Sequence, residues 1–328
     1  MATSGTVATT RIKTAKLLEK AFRRCGLLPQ QITPEYIESG KESLFMLLMN
    51  LSNRGMNLWC LEQNLIGLVF GQSTYDLPVG TVNVLNLLHA TPSRVTGTDS
   101  VDPLWYQTTL DEATRVVRVG VSFSALPTAV TYIQWSSDGV SWSNAATISA
   151  NDLPTQLGTW NWYDLDPSPT AQHYRVFGTN IGVVADLYLA TQVREIPIPK
   201  FNRDDYANQP NKDFMSAIAT NYYFQKLTSP KVTLWPVPND DERHLVLFRQ
   251  RQVQDVGAIT NELEIPDRWL DAVTWQLASR VAFEVPEVTP ERRKEVVTMA
   301  KGFEFEAETG ETDDAPTTYA PNIRGYTR

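Results

Sequence analysis

The sequence predicts an α+β protein: a helical bundle built from both chain ends, a small β platform, and an antiparallel β-sandwich inserted between them. Three observations predict it. Apolar residues recur at three- and four-residue steps only near the two ends. Short alternating runs punctuated by glycine and proline fill the space between. Charge also thins out in the middle. No lysine occurs between Lys41 and Lys200, and from Gly120 to Ala190 the charged residues are Asp138, Asp152, Asp164, Asp166, Arg175 and Asp186.

The first helix is read over 11–25, with Ile12, Ala15, Leu18, Ala21, Phe22 and Cys25 on one face and Gly26 and Pro29 as the stop. Thr33-Pro34-Glu35 supplies an N-cap, a first-turn proline and an early acid for a second helix over 34–54. Its stripe is Tyr36, Ile37, Leu44, Leu47, Leu48 and Leu51. Strand signals follow at Leu65–Phe70, Ser73–Leu77 and Thr81–Leu88. Thr131, Ile133 and Trp135 alternate with Val130 and Tyr132, and Asp138-Gly139 marks a hairpin turn. Val183, Ala185, Leu187, Leu189 and Val193 form another alternating run. Lys231–Val237 and His244–Gln250 flank the turn Asn239-Asp240-Asp241. Two closing helices are read over 267–284 (Leu270, Val273, Leu277, Val281) and 290–308 (Val296, Val297, Ala300, Phe303). Periodicity ends at Thr309. The expected domains are a host of 1–90 and 195–309, a sandwich of 91–194, and a C-terminal arm of 310–328.

Composition narrows the function. The 328 residues carry 29 basic and 37 acidic side chains, a net charge of −8, against the basic surplus of a dedicated nucleic-acid binder. Cys25 and Cys60 are too few for a disulfide framework, which fits synthesis in a reducing compartment. Met1–Lys16 lacks the apolar core of a secretory signal, and Leu44–Leu51 is far short of the ~20 residues of a spanning helix.

No phosphate loop, dinucleotide fingerprint, zinc-protease helix or nucleophile elbow is present, so no enzyme activity, cofactor or metal is expected. His89, His173 and His244 are scattered in or beside strands and read as structural. The pairs Asp204-Asp205, Asp240-Asp241 and Asp313-Asp314 lie in turns or in the tail; strand neighbours point to opposite faces and make poor acid/base couples. Trp135, Trp142, Trp160 and Trp162 suit either a packed core or stacking on sugar rings, with Trp160 and Trp162 on one strand face. The first helix is basic (Arg11, Lys13, Lys16, Lys20, Arg23, Arg24). The last helix and tail are acidic (Glu304, Glu306, Glu308, Glu311, Asp313, Asp314). Each is either a solvated face or a contact surface between copies or with a partner.

Several host segments carry a resemblance. Tyr75-Asp76-Leu77-Pro78-Val79-Gly80 is followed much later by Arg203-Asp204-Asp205-Tyr206, Gln209-Pro210-Asn211-Lys212, Tyr222-Tyr223-Phe224, Val232–Pro238 and Pro266-Asp267-Arg268-Trp269. Together with the terminal helices, these resemble the head-to-tail adaptors of short-tailed bacteriophages, also called tail accessory or packaged-DNA stabilisation proteins. The likeness covers roughly residues 10–90 and 195–310. Within the insertion, Tyr132 to Trp142 resembles a discoidin-type jelly-roll strand and hairpin.

The resemblance implies a virion protein of the head-tail junction, assembled in the host cytoplasm. It would form a dodecameric ring on the portal protein, carry the tail tube or nozzle protein, and extend a channel through which DNA passes without sequence-specific binding. No membrane partner is implied. The arm would dock on the portal through Tyr319, Pro321, Ile323, Arg324 and Tyr326, the aromatics anchoring in pockets and the prolines limiting the entropy lost. Two other classes compete. One is a carbohydrate-binding virion or adhesion protein acting through the jelly roll. The other is a peptidoglycan-degrading enzyme, for which no carboxyl can be nominated.

Overall fold

The computed structural model describes residues 12–54, 58–149, 154, 156–253 and 257–311. The chain divides into two compact units, Met1–Cys60 with Gln252–Arg328, and Leu61–Arg251. Among the described residues there are five α-helices: α1 (Thr14–Arg24), α2 (Pro34–Arg54), α3 (Arg203–Ala207), α4 (Leu270–Glu284) and α5 (Pro290–Gly310).

In the first unit, α1 starts later than the periodicity suggested, because Lys13 is extended and bridges Glu262. It stops at Gly26, whose φ of +93° suits a residue without a side chain. Gly26 N–H donates to the Arg23 carbonyl and Leu27 N–H to that of Phe22, so the last turn is closed by a Schellman motif. Thr289 caps α5 by accepting from the Arg292 N–H, with Pro290 in the first turn. Leu17, Leu18 and Phe22 of α1 share one core with Leu44, Leu48 and Leu51 of α2, with Trp269, Val273, Leu277 and Val281, and with Val296 of α5. Polar clamps surround it: Arg292 donates twice to the Arg24 carbonyl at the end of α1 (2.7 and 3.0 Å), and Ser43 donates to Glu284 at 2.5 Å.

The second unit is almost entirely strand. In chain order they are β1 (Leu61–Gly67), β2 (Thr74–Asp76), β3 (Thr81–Val95), β4 (Thr98–Asp102), β5 (Trp105–Arg115) and β6 (Arg118–Ala125). Then come β7 (Thr131–Ser136), β8 (Ser143–Ile148), β9 (Trp160–Asp164), β10 (Thr170–Phe177) and β11 (Val183–Ile198). The rest are β12 (Lys200–Phe201), β13 (Met215–Ser216), β14 (Asn221–Gln225), β15 (Lys231–Trp235), β16 (Val237–Pro238) and β17 (His244–Arg251). The Asp138-Gly139 hairpin forms as its sequence demands. Gly139 has φ +72°, and the Asp138 carboxylate accepts from the Val140 and Ser141 N–H groups (2.9 and 2.8 Å). Those bonds hold its carboxyl well below the usual carboxylate range.

A six-stranded antiparallel sheet in the order β1-β17-β3-β11-β6-β9 is the backbone of this unit. A five-stranded sheet, β4-β5-β10-β7-β8, packs with it as a β-sandwich over Val119, Val121, Phe123, Ile133, Tyr174 and Leu187. A four-stranded sheet, β12-β14-β15-β2, shares a second core with the long strands through Leu87, Leu245, Leu247, Tyr222 and Val232. Leu87 and Val95 stand an even number of residues apart on β3, so both cores lie on the same face of the six-stranded sheet.

This geometry corrects the expected domain limits. Positions 90/91 and 194/195 fall inside β3 and β11, single strands of 15 and 16 residues that carry both cores. The expected platform therefore belongs with the sandwich and not with the helices, and the compact units divide at Cys60/Leu61 and Arg251/Gln252. Composition shifts mark where charge thins, whereas ladder hydrogen bonds bind both stretches into one sheet.

The opposite face of the six-stranded sheet is concave. Its edge strands β1 and β9 meet, with Gln63 Nε2 donating to Asp164 Oδ2 at 3.1 Å. At the other end of this seam a methyl on Gly67 would fall 2.1 Å from the Trp160 carbonyl oxygen. Trp160, Trp162, Tyr188, Ala190, Leu65 and Val193 fill the concavity.

Candidate functional site

The expected arm residues Tyr319, Pro321, Ile323, Arg324 and Tyr326 lie outside the described residues. The helix leading to them is pinned at its end. Glu311 is 8% exposed, and its Oε1 accepts from Trp269 Nε1 at 2.8 Å and from Arg268 Nε.

The four tryptophans are placed by packing. Trp135 lies half-buried against the sandwich core. Trp142 is covered by the Arg175 guanidinium, 3.9 Å above its ring, and Arg175 in turn donates to Gln134 Oε1 at 2.8 Å. Trp160 and Trp162 share a face of β9, as period two requires. Trp162 is 5% exposed, stacked on His244 with centroids 4.3 Å apart and edge-on to Tyr188 at 5.0 Å. Gly120 makes room for both rings: a methyl there would approach each at 3.2 Å. Trp162 is thus a core residue, and Trp160, half-buried, borders solvent.

Beneath these rings sits a buried charge that the sequence did not single out. Arg118 pairs with Asp164 at 2.5 Å and Glu195 at 3.2 Å, and donates from Nη1 to His244 Nε2 at 2.6 Å. Burial and the Arg118 charge push the His244 imidazolium down to about 2, and burial with Arg243 nearby pushes that of His89 to about 4. Both rings are neutral structural histidines. His173 Nδ1 lies 3.1 Å from Thr109 Oγ1.

Two surface features of the second unit bring polar and aromatic side chains together. One is a cleft of about 550 Å³ between β1, β8 and β9, bordered by Gln63, Asn64, Thr147, Trp160, Asn161 and Asp164. The other gathers most of the segments that carried the resemblance. Tyr75 and Asp76 lie on β2, Tyr222 to Phe224 on β14 and Val232 to Trp235 on β15, adjacent in one sheet with the ion pair Lys231–Asp76 at 2.9 Å. Asn202 caps α3 by accepting from the Asp205 N–H at 2.8 Å. The cap presents Tyr206 to stack on Tyr223 at 5.4 Å, with Lys212 Nζ 5.6 Å from the Tyr206 ring. Trp235 Nε1 donates to the Asn211 carbonyl at 2.8 Å, and Phe201 and Phe214 flank its ring at 6.4 and 6.2 Å. Phe214 is half exposed. Phe201 and Phe214 were not singled out from the sequence, although both border the motif around α3.

Among the described residues no three His, Cys, Asp or Glu side chains gather as a metal site, and no helix is long and apolar enough to cross a membrane.

No family model matches the chain, and no curated protein matches it. Solved structures do. The C-terminal domain of a chitobiase from Bacteroides fragilis is similar at 18% identity and a TM-score of 0.23, over 29% of this chain and 68% of that one. Chitosan-binding module 1 of a chitosanase/glucanase from Paenibacillus sp. IK-5 is similar at 20% identity and 0.20, over 37% and 98%. The module CBM32-1 of a family 31 glycoside hydrolase from Clostridium perfringens is similar at 11% identity and 0.21, over 42% and 93%. None of these three is a head-to-tail adaptor.

Proposed function

We propose that the protein is a non-catalytic assembly subunit of the head-to-tail adaptor type: a virion protein that forms a ring on a portal and carries tail components. The observation that carries this reading is the convergence of β2, α3, β14 and β15. Segments separated by more than a hundred residues, Tyr75-Asp76 on β2 and Lys231 to Trp235 on β15, meet in one sheet and are tied by the Lys231–Asp76 pair, while Tyr206–Tyr223 and Trp235–Asn211 hold α3 and the loop after it against β14 and β15. Conserving chemistry is not needed for such a role; a rigid aromatic platform is, because rigid rings lose little entropy on docking. A net charge of −8 also suits a conduit through which DNA slides rather than sticks.

The test is to mix the full-length protein with the portal protein encoded in the same genome and examine the mixture by sedimentation velocity and electron microscopy. Rings seated on portals are expected. A protein that stays monomeric and never cosediments with the portal would overturn the reading.

The cleft between β1, β8 and β9 favours a second reading, carbohydrate binding. The amide atoms left over from internal bonds, Gln63 Oε1, Asn64 Nδ2 and Asn161 Oδ1, lie beside the half-buried Trp160 and offer both donor and acceptor next to an aromatic surface, the mixture that sugars require. A glycan array separates the two readings. Binding that Asn161→Ala abolishes would support this one, and an empty array would leave the sandwich as a spacer.

A further inference from the structure

Two helices of the first unit carry opposite charges on their outward faces in matching spacing. On α1, Lys16, Lys20 and Arg23 follow one another at steps of four and three, with Lys13 just before the first turn, and all four are exposed. On α2, Glu35, Glu38 and Glu42 follow one another at steps of three and four and are exposed as well. Each set spans about 10 Å of helix. Run antiparallel, the two come into register, with Lys16 opposite Glu42, Lys20 opposite Glu38 and Arg23 opposite Glu35. Little within the unit answers these charges. Arg23 holds Glu19 at 2.6 Å, but Lys13, Lys16, Lys20, Glu35, Glu38 and Glu42 have no ion-pair partner among the described residues. Lys41 lies half-buried at the edge of the acidic set.

A second observation is apolar. Three and four residues beyond Glu42, the same side of α2 carries Phe45 and Met46, 41% and 60% exposed. Beside α1 runs an apolar groove of about 250 Å³, with Ala15, Phe22, Pro29, Ile32 and Ile259 among its lining. In the antiparallel register Phe45 and Met46 pass Lys16 and arrive at its Ala15 end. A polyanion such as DNA would answer the lysines alone. A second copy of this chain answers the lysines, the acids, the exposed apolar pair and the groove together.

We propose that α2 of one copy docks on α1 of a second copy, with Glu42 and Glu38 paired to Lys16 and Lys20, and with Phe45 and Met46 covering the groove beside α1. The two faces differ, so each copy offers a free face to the next, and the contact closes a ring or extends a filament. The inference supplies the subunit contact of the adaptor reading and rests on that reading for closure of the ring.

Sedimentation velocity of the full-length protein tests the contact. Concentration-dependent association is expected at about 50 mM salt, weakening at about 500 mM, where exposed charges are screened. Lys16→Glu with Lys20→Glu, and separately Glu38→Lys with Glu42→Lys, should each weaken it about tenfold or more. An equimolar mixture of the two variants should restore association, because each reversed face then meets a reversed complement. Lys16→Gln with Lys20→Gln, checked by its melting curve, replaces a reversal that unfolds the protein; about threefold weakening is expected. Monomers at every concentration up to about 0.1 mM, substitutions without effect, or folded variants that stay monomeric on mixing would overturn the proposal. Portal cosedimentation separates it from the adaptor reading. Rings on portals that ignore both reversals would overturn the contact and leave the adaptor standing, whereas rescue on mixing without portal binding would do the reverse.

Discussion

Arg118 donates to His244 Nε2 at 2.6 Å inside the concave face of the six-stranded sheet. The guanidinium has no acceptor role, so Nε2 must be the unprotonated nitrogen and the ring must be neutral. The charge of Arg118 is balanced by Asp164 and Glu195, not by the histidine.

Acid should therefore destabilise the β unit before its carboxylates matter. His89 has a folded value near 4, below the roughly 6.5 of an unfolded histidine, so the unfolded chain binds the proton first. Its contribution is complete above about pH 6.5 and is lost as pH falls towards 4, by about 3 kcal/mol over that window. Urea unfolding at pH 7 and at pH 4.5 checks this. His244 takes up its own proton over the same window, so the pH dependence should fall by about half in His89→Leu, and an unchanged slope would show that His89 does not report the transition.

Arg118→Met should cost about 1–3 kcal/mol, the range for hydrogen bonds to charged groups. It falls short of the loss typical of a fully buried pair because Asp164 and Glu195 retain 44% and 33% of their side-chain exposure and can rehydrate. The same variant should raise the His244 value, since Arg118 is one of the groups holding it down. Imidazole NMR titration reads that shift directly.

Leu277→Ala should destabilise the helical unit by about 2–5 kcal/mol, since this α4 side chain is fully buried in the core shared with α1 and α2. Denaturant midpoints followed by far-ultraviolet circular dichroism measure it.

Two glycines should respond in opposite directions. Gly67→Ala would drive a methyl into the Trp160 carbonyl where β1 meets β9, which backbone must move to relieve, at a cost of about 1–3 kcal/mol. Gly302 lies within α5 with open space around it, so Gly302→Ala should add about 0.5–1 kcal/mol of stability. Melting temperatures of the two variants must move apart.

Deleting 92–193 should unfold what is left of the β unit, while the core of the helical unit keeps all its members. The cut removes β6 and β9 whole and leaves fragments of β3 and β11, uncovering Leu87, Leu245 and the ladder of β17. Loss of the β-sheet melting signal with the helical signal retained is the expected result, and β structure that still melts sharply would show that 92–193 is an autonomous insertion.

The sequence by itself determined whatever depends on neighbours within a few residues. Leu18, Leu48 and Leu277 are core because three- and four-residue steps put them on one helix face, and Thr289-Pro290 starts α5 because a cap and a preset φ need nothing distant. Asp138-Gly139 turns the chain for the same local reason. Only the tertiary structure decided what depends on pairing across the chain. That β3 and β11 join the expected platform and sandwich, that Trp162 is buried against His244 while Trp160 borders a cleft, and that Arg118 finds Asp164, Glu195 and His244, all follow from strand register. Register is set by hydrogen bonds between residues from about 40 to about 110 positions apart, and period two reveals which face a side chain takes without revealing which strand lies beside it.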